Sequence, residues 1–222
     1  MLKFIDINTM IGPWRYKNLA FRTADDIIQE MDRLYITKAF TYHSLAQYYD
    51  PVIGNDMLLK EIKGKDRLIG TVVLTNLIKV EFGGEDKLRR YLSNANIGAI
   101  RIYPIDHSFT LDIWNVEELF SFTSRYSLPV LLDMQQNMGD LSSHFNEIYN
   151  LAIAFSKTPI ILLATGCAHL RTILKLLEKC DNICLDTSIL TTYRGIEEVT
   201  RLFGSNRILF GSRIPFIEGG VS

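Results

Sequence analysis

Short, nearly continuous apolar runs alternate with amphipathic stretches along the whole chain. Eight runs predict strands: Phe4–Asn8, Ala39–His43, Arg67–Leu74, Gly98–Tyr103, Pro129–Asp133, Pro159–Thr165, Asn182–Ser188 and Arg207–Ser212. Helix-like stretches lie between them, starting near Ala24, Asn55, Glu85, Asn115, Leu141, Leu170 and Tyr193, the second short and the fifth long. A strand such as Ile161-Leu162-Leu163-Ala164 is apolar at every position, not at alternate ones. That pattern indicates burial on both faces, as in a parallel sheet covered by helices. Helix-start signals agree. Thr23 precedes Ala24-Asp25-Asp26, and Glu85-Asp86 follow a Gly-Gly pair, so carboxylates sit in first turns where the helix dipole favours them. Gly54, Gly83-Gly84 and Gly139 read as turns.

Eight strands alternating with helices make the predicted fold class α/β, a single (β/α)8 TIM-type barrel occupying residues 1–222, with a doubly wound open sheet as the alternative. Barrels of this type run to about 250 residues, so the length leaves no room for a second core. The chain ends in IEGGVS directly after the eighth strand, with no eighth helix to follow it. The expectation is either an outer face that a second copy of the chain covers, making a homo-oligomer, or a final helix in a tail that this sequence lacks.

Composition narrows the function classes. With 24 basic and 25 acidic side chains the formal net charge is −1, which gives no electrostatic footprint for nucleic acid or an anionic membrane. No apolar run approaches the ~20 residues needed to cross a bilayer. MLKFIDINTM has polar residues too early for a signal peptide and reads as the first strand. Cys167, Cys180 and Cys184 form no CxxC pair and are odd in number, which suits reduced thiols and a cytoplasmic setting. Cys180 and Cys184 are expected at a helix end and on a buried strand.

The segment FGSNRILFGSRIPF, residues 203–216, carries the chemistry. Its apolar strand ends in Gly-Ser and then a charged residue before proline, as the catalytic rim of a barrel requires. It resembles the RILFGSD-x-P text of the amidohydrolase-related family of metal-dependent hydrolases and decarboxylases, in which that aspartate serves the metal and its water. Arg213 stands at this position, and a guanidinium offers no lone pair to a metal. The resemblance continues through the chain. The family's first strand ends Asp-x-His-x-His-x-Gly, against Asp6-Ile7-Asn8-Thr9-Met10-Ile11-Gly12 here. Its fifth strand resembles Leu128–Asp133, with Asp133 replacing a histidine, and its sixth resembles Ile161–Thr165, with Thr165 replacing another. Asn182–Ser188 matches the seventh. The resemblance thus implies a zinc or other divalent-metal hydrolase of small organic acids, but with its ligand positions substituted. No cofactor and no metal at the inherited site are therefore expected.

Strand alternation places Asp6, Asn8 and Met10 on one interior face. The strand ends then supply a polar mouth of Asn8, His43, Arg101, Tyr103, Asp133, Thr165, Asp186 and Arg213. His43 and Asp133 are the candidate catalytic residues, His43 because its pKa lies near neutrality. Asn8, Arg101, Tyr103, Thr165, Asp186 and Arg213 are the candidate ligand-binding residues, the partner being a small carboxylate-like molecule. Two readings of the arginines stay open: an Arg–carboxylate ion pair that plugs the mouth, or a free fork that grips an anion bidentately. A rebuilt metal site from His43, Asp106 and His107 has no supporting motif spacing. Trp14, Arg15, Tyr48 and Tyr49 lie in the first two loops, where they either close over a ligand or pack the loops together. The function classes are a metal-free or rebuilt hydrolase, a non-catalytic relative that binds a small anion, and an oligomeric scaffold.

Overall fold

A computed structural model describes residues 3–15, 18, 19, 22–94 and 96–217. Eight parallel strands follow one another in chain order. They are β1 (Phe4–Ile11), β2 (Ile36–His43), β3 (Leu68–Val73), β4 (Ile97–Ile102), β5 (Val130–Asp133), β6 (Ile160–Leu163), β7 (Ile183–Asp186) and β8 (Ile208–Leu209). The expected doubly wound alternative is thereby set aside, because its strand order reverses midway and this one never does. The ring is nearly closed. Ile7 donates its N–H to the carbonyl of Phe210 and Met10 donates to that of Ile214, both at 2.9 Å, so β1 meets the segment following β8. The tail beyond Ile217, where the absence of an eighth helix was expected, lies outside the described residues.

The helices are α1 (Ala24–Arg33), α2 (Leu45–Tyr48), α3 (Pro51–Ile62), α4 (Ile78–Phe82), α5 (Glu85–Asn94), α6 (Ile113–Arg125), α7 (Phe145–Ala154), α8 (Leu170–Lys179) and α9 (Gly195–Phe203). Thr23 caps α1 in a reciprocal box with Asp26. The second expected helix, α3, is not short. It starts at Pro51, where the Asp50 side chain accepts from Ile53 N–H and proline needs no donor. Gly54 lies inside it and is not a turn. A Cβ there would lie 2.1 Å from the backbone nitrogen of Ala46, so α3 and α2 pack at a distance only glycine permits. The fifth expected helix, α7, is not long. Its predicted first residues fold as a loop after a small ribbon that pairs Gln135–Gln136 with Gly139–Asp140.

Four apolar clusters organise the molecule. The largest fills the layer between β3–β7 and helices α4–α9, with Phe120, Tyr91 and Ile173 fully covered. A second packs α1 and α3 onto β1–β3. A third, of Ile7, Ala99, Leu131, Ile161 and Leu163, is the barrel's own interior floor. Above it the interior turns polar. The fourth, around Met10, Tyr42, Val73 and Tyr103, flanks that polar layer.

The first strand departs from simple alternation. Its register against β2 slips between Asp6 and Thr9. Ile7 therefore joins the interior cluster and Asn8, the next residue, also faces inward to reach Arg101. Asp6, expected on the same interior face as Asn8 and Met10, instead serves the seam. Its Oδ1 accepts from the backbone N–H of Asn8 at 2.9 Å and of Ser212 at 3.0 Å. Burial raises its pKa above the ordinary value, with the hydrogen bonds to Ser212 and Asn8 opposing that shift.

Candidate functional site

The C-terminal ends of the strands surround a cavity of about 340 Å³. At its base lies a buried network whose polarity follows from donor chemistry. Arg101, on β4, points inward like Ala99 two residues before it and is 2% exposed. Its Nη2 donates to Asp133 Oδ2 at 2.5 Å and to Asn8 Oδ1 at 3.1 Å. Because arginine only donates, the Asn8 oxygen must face it, and Asn8 Nδ2 is left to donate to Asp186 Oδ2 at 2.8 Å. Asp186 Oδ1 accepts from the backbone N–H of Ala164 at 2.8 Å, at the end of β6. Asp133 Oδ1 accepts from Gln135 N–H at 3.2 Å. One chain of hydrogen bonds thus crosses the barrel from β4 through β1 to β7.

Aromatic rings complete the floor. The Arg101 guanidinium lies 4.2 Å from the Tyr42 ring centre and 5.3 Å from that of Tyr103. Burial raises the pKa of both phenols, so they stay neutral. Tyr42 donates to Gln47 Oε1 at 2.9 Å, and Gln47 Nε2 donates to Asp106 Oδ2 at 2.7 Å, which ties loop two to loop four. Burial pushes Asp186 up to about 6, with bonds from Ser188, Asn8 and Ala164 opposing and the Asp133 charge adding to it.

The rim is different. Arg213 is half-buried and, among the described residues, forms no ion pair; its Nη1 donates to Gln135 Oε1 at 3.4 Å, a long bond. Its backbone is left-handed, with φ +57°, an uncommon conformation for a side-chain-bearing residue and one that concentrates at binding sites. Trp14 stands at the same mouth, edge-on to Phe216 at 4.8 Å and to Tyr48 at 5.6 Å. Arg15 stacks over Tyr48 at 5.9 Å, so the loops both pack on one another and overhang the cavity.

Asn8, Arg101, Asp133 and Arg213 converge on this cavity as the sequence suggested. The buried cation, however, is Arg101 and not Arg213: Arg101 is the one that pairs with Asp133. Tyr103 lies beneath Arg101 and Asp186 behind Asn8, each 0% exposed, so both support the floor without lining the cavity. Thr165 lines a neighbouring cavity instead.

His43 is displaced from the role expected of it. On the C-terminal half of β2 the even positions face in, as Phe40 and Tyr42 show, while Ala39 packs outward beneath α1. His43 is odd and points away from the mouth, 3% exposed, with Nδ1 accepting from Leu45 N–H at 3.2 Å. A Cβ on Gly12 would lie 2.7 Å from its ring. Burial lowers its pKa to about 4, so it is a neutral packing residue at physiological pH.

The sequence reading missed Gln47, Gln135, Gln136 and Asn137 at the mouth. The run of three amides, Gln135-Gln136-Asn137, two residues past Asp133 was the available signal.

This donor set does not fit a divalent cation. Asp133 Oδ2 and Asn8 Oδ1 both already accept from one guanidinium, and among the described residues no three His, Cys, Asp or Glu side chains cluster as ligands. His107 and Asp106 do not assemble with His43. His107 Nε2 meets the Gln47 carbonyl at 2.9 Å, and Asp106 accepts from Gln47, Asn137 and Met138.

No protein-family model and no curated protein matches this chain. Solved structures do. An uncharacterised TIM-barrel protein from Bordetella bronchiseptica aligns with a TM-score of 0.75 at 14% identity, covering 98% of this chain and 88% of that one. The 5-carboxyvanillate decarboxylase of Novosphingobium aromaticivorans, complexed with manganese and a nitrobenzoic acid, aligns with a TM-score of 0.74 at 12% identity, over 97% and 87% of the two chains. A putative amidohydrolase from Staphylococcus aureus gives 0.70 at 13% identity, over 98% and 90%. The molecule is a TIM barrel, and its structural neighbours include a putative amidohydrolase, a probable hydrolase and decarboxylases. At these identities the likeness establishes the fold, and the side chains must speak for function. No helix among the described residues is long and apolar enough to cross a membrane.

Proposed function

We propose that this chain is an amidohydrolase-type barrel that binds a small carboxylate at its mouth without a metal at the site where such barrels hold one. The observation that carries the reading is the Arg101–Asp133 pair, 2.5 Å apart and buried on the floor. The charges there cancel, which leaves Arg213, among the described residues lining the cavity, as the cation offered to a ligand. A guanidinium fork matches a carboxylate bidentately. Trp14 and Phe216 supply flat apolar walls beside it, a combination suited to a planar acid. In this reading Asp133 holds Arg101 in place, and His43 plays no part in proton transfer.

Elemental analysis of protein purified without added metal, followed by titration with benzoate, tests it. We expect no stoichiometric transition metal, benzoate binding, and loss of that binding in Arg213→Asp. Stoichiometric zinc or manganese, or an Arg213→Asp protein that binds benzoate as the parent does, would overturn it.

A second reading, an active decarboxylase or hydrolase of organic acids, is favoured by the likeness to 5-carboxyvanillate decarboxylase. Turnover of a hydroxybenzoate by metal-supplemented but not metal-free protein would establish it in place of the first. The reduced, cytoplasmic, homo-oligomeric state inferred from the sequence belongs with the proposal, and sedimentation tests its last element.

A further inference from the structure

A second cavity, of about 350 Å³, lies between the fifth, sixth and seventh strand-to-helix loops. Gln135 lines both cavities, and it is the residue that Arg213 Nη1 reaches. The two spaces are therefore neighbours across a single exposed amide. Their chemistry differs. The first holds Arg101 and Arg213, whereas the second has Met134, Phe145, Ala168 and Ile189 on its walls and, among the described residues lining it, His169 but no lysine or arginine. Thr165 sits on its wall with a buried hydroxyl that has no hydrogen-bond partner. Exposed Asp140 stands at its edge, its carboxyl held below the ordinary value by Ser142 side-chain and backbone bonds and, more weakly, by His169 and His144. An acid group is thus directed to one cavity and an apolar group to the other.

Building on the carboxylate reading of the mouth, we infer that the two cavities form one bipartite site for an amphipathic monoacid, with the carboxylate at Arg213 and an apolar or aromatic tail lying past Gln135 against Met134, Phe145 and Ile189. Together they fall within the size range of small-molecule sites, roughly 300–1,000 Å³.

The test is titration of the full chain, followed by NMR, with propanoate and with phenylacetate, 3-phenylpropanoate and 4-phenylbutanoate. The phenyl acids that reach across Gln135 should bind about tenfold or more tightly than propanoate, since a ring leaves water. Ala168→Trp, a substitution at an exposed wall position, should erase that increment, while propanoate, which reads the anion end alone, keeps its parent affinity. As a measurement that needs no variant, alkylation of exposed Cys167 on the second cavity's wall should be slowed by 4-phenylbutanoate and not by propanoate. If propanoate and every phenyl acid bind equally, Ala168→Trp changes nothing and Cys167 is unprotected, the bipartite site is wrong and the carboxylate mouth survives. If no acid binds at all, both fall.

Discussion

The floor and the rim of this barrel both carry an arginine, and the two are handled in opposite ways. Arg101 is buried, faces two tyrosine rings and donates to Asp133 and Asn8 from one nitrogen. Arg213 is half-buried, lacks an ion pair among the described residues, touches one amide at 3.4 Å and lies 5.9 Å from the Phe216 ring centre. Leaving a buried charge unmatched within the fold costs about 3–5 kcal/mol. A charge at the rim is solvated and can remain available. Position in the barrel thus decides which guanidinium belongs to the structure and which to a ligand.

Removing one partner from the floor should have the largest effect. Arg101→Leu leaves Asp133 buried and uncompensated and should cost about 3–5 kcal/mol of unfolding free energy, measured by urea denaturation. The double variant Arg101→Leu/Asp133→Leu should recover most of that loss. A double variant no more stable than the single would show that the pair, as such, does not hold the floor.

Acid behaviour distinguishes the regions next. Asp186 titrates at about 6 in the folded barrel against 3.8 for a free side chain. Between those values the folded state holds more protons than the unfolded one, so its share of stability is full below 3.8 and is lost as pH rises to about 6. The loss is on the order of 3 kcal/mol. His43, lowered from 6.5 to about 4, runs the other way: its share is present above 6.5 and lost as pH falls. The informative quantity is therefore the difference between parent and Asp186→Asn. Stability of the parent relative to the variant should fall from pH 4 to 6, and a difference flat across that window would place the Asp186 proton elsewhere.

Arg213→Ala comes third. Binding of benzoate should weaken about tenfold, or about 1.4 kcal/mol, while stability changes by less than ~0.5 kcal/mol. A large stability loss would move Arg213 into the same class as Arg101. The smallest effect is that of salt. Raising it from 50 to 500 mM should weaken benzoate binding by about threefold through screening at the rim. The parent-to-Arg101→Leu stability difference should hardly move, because the floor is closed to ions.

Much of the barrel was legible in the chain. Continuous apolar runs mark strands buried on both faces, and all eight were found within a few residues of their observed ends. Helix starts at Ala24 and Glu85 were likewise marked by Thr23 and by first-turn carboxylates, and that at Leu170 by its amphipathic stretch alone. Asn8, Arg101, Asp133 and Arg213 were also readable as mouth residues, since each is a polar side chain at or near the C-terminal end of an apolar run. His43 was misplaced because a run's end does not tell which face the last side chain takes. Asp6 was misplaced because a register slip at one residue inverts alternation. Gln135 was passed over because an amide in a loop has no periodic signature.

By itself, then, the sequence determined the strand and helix alternation, the parallel sheet and the polar character of one barrel end, because these follow from local period and burial. Only the tertiary structure decided that Arg101 rather than Arg213 meets Asp133, that Asn8 relays Arg101 to Asp186, and that Gln135 stands between two cavities. Those contacts join residues far apart in the chain, and their partners are chosen by barrel closure, strand register and the need to pair every charge that water cannot reach.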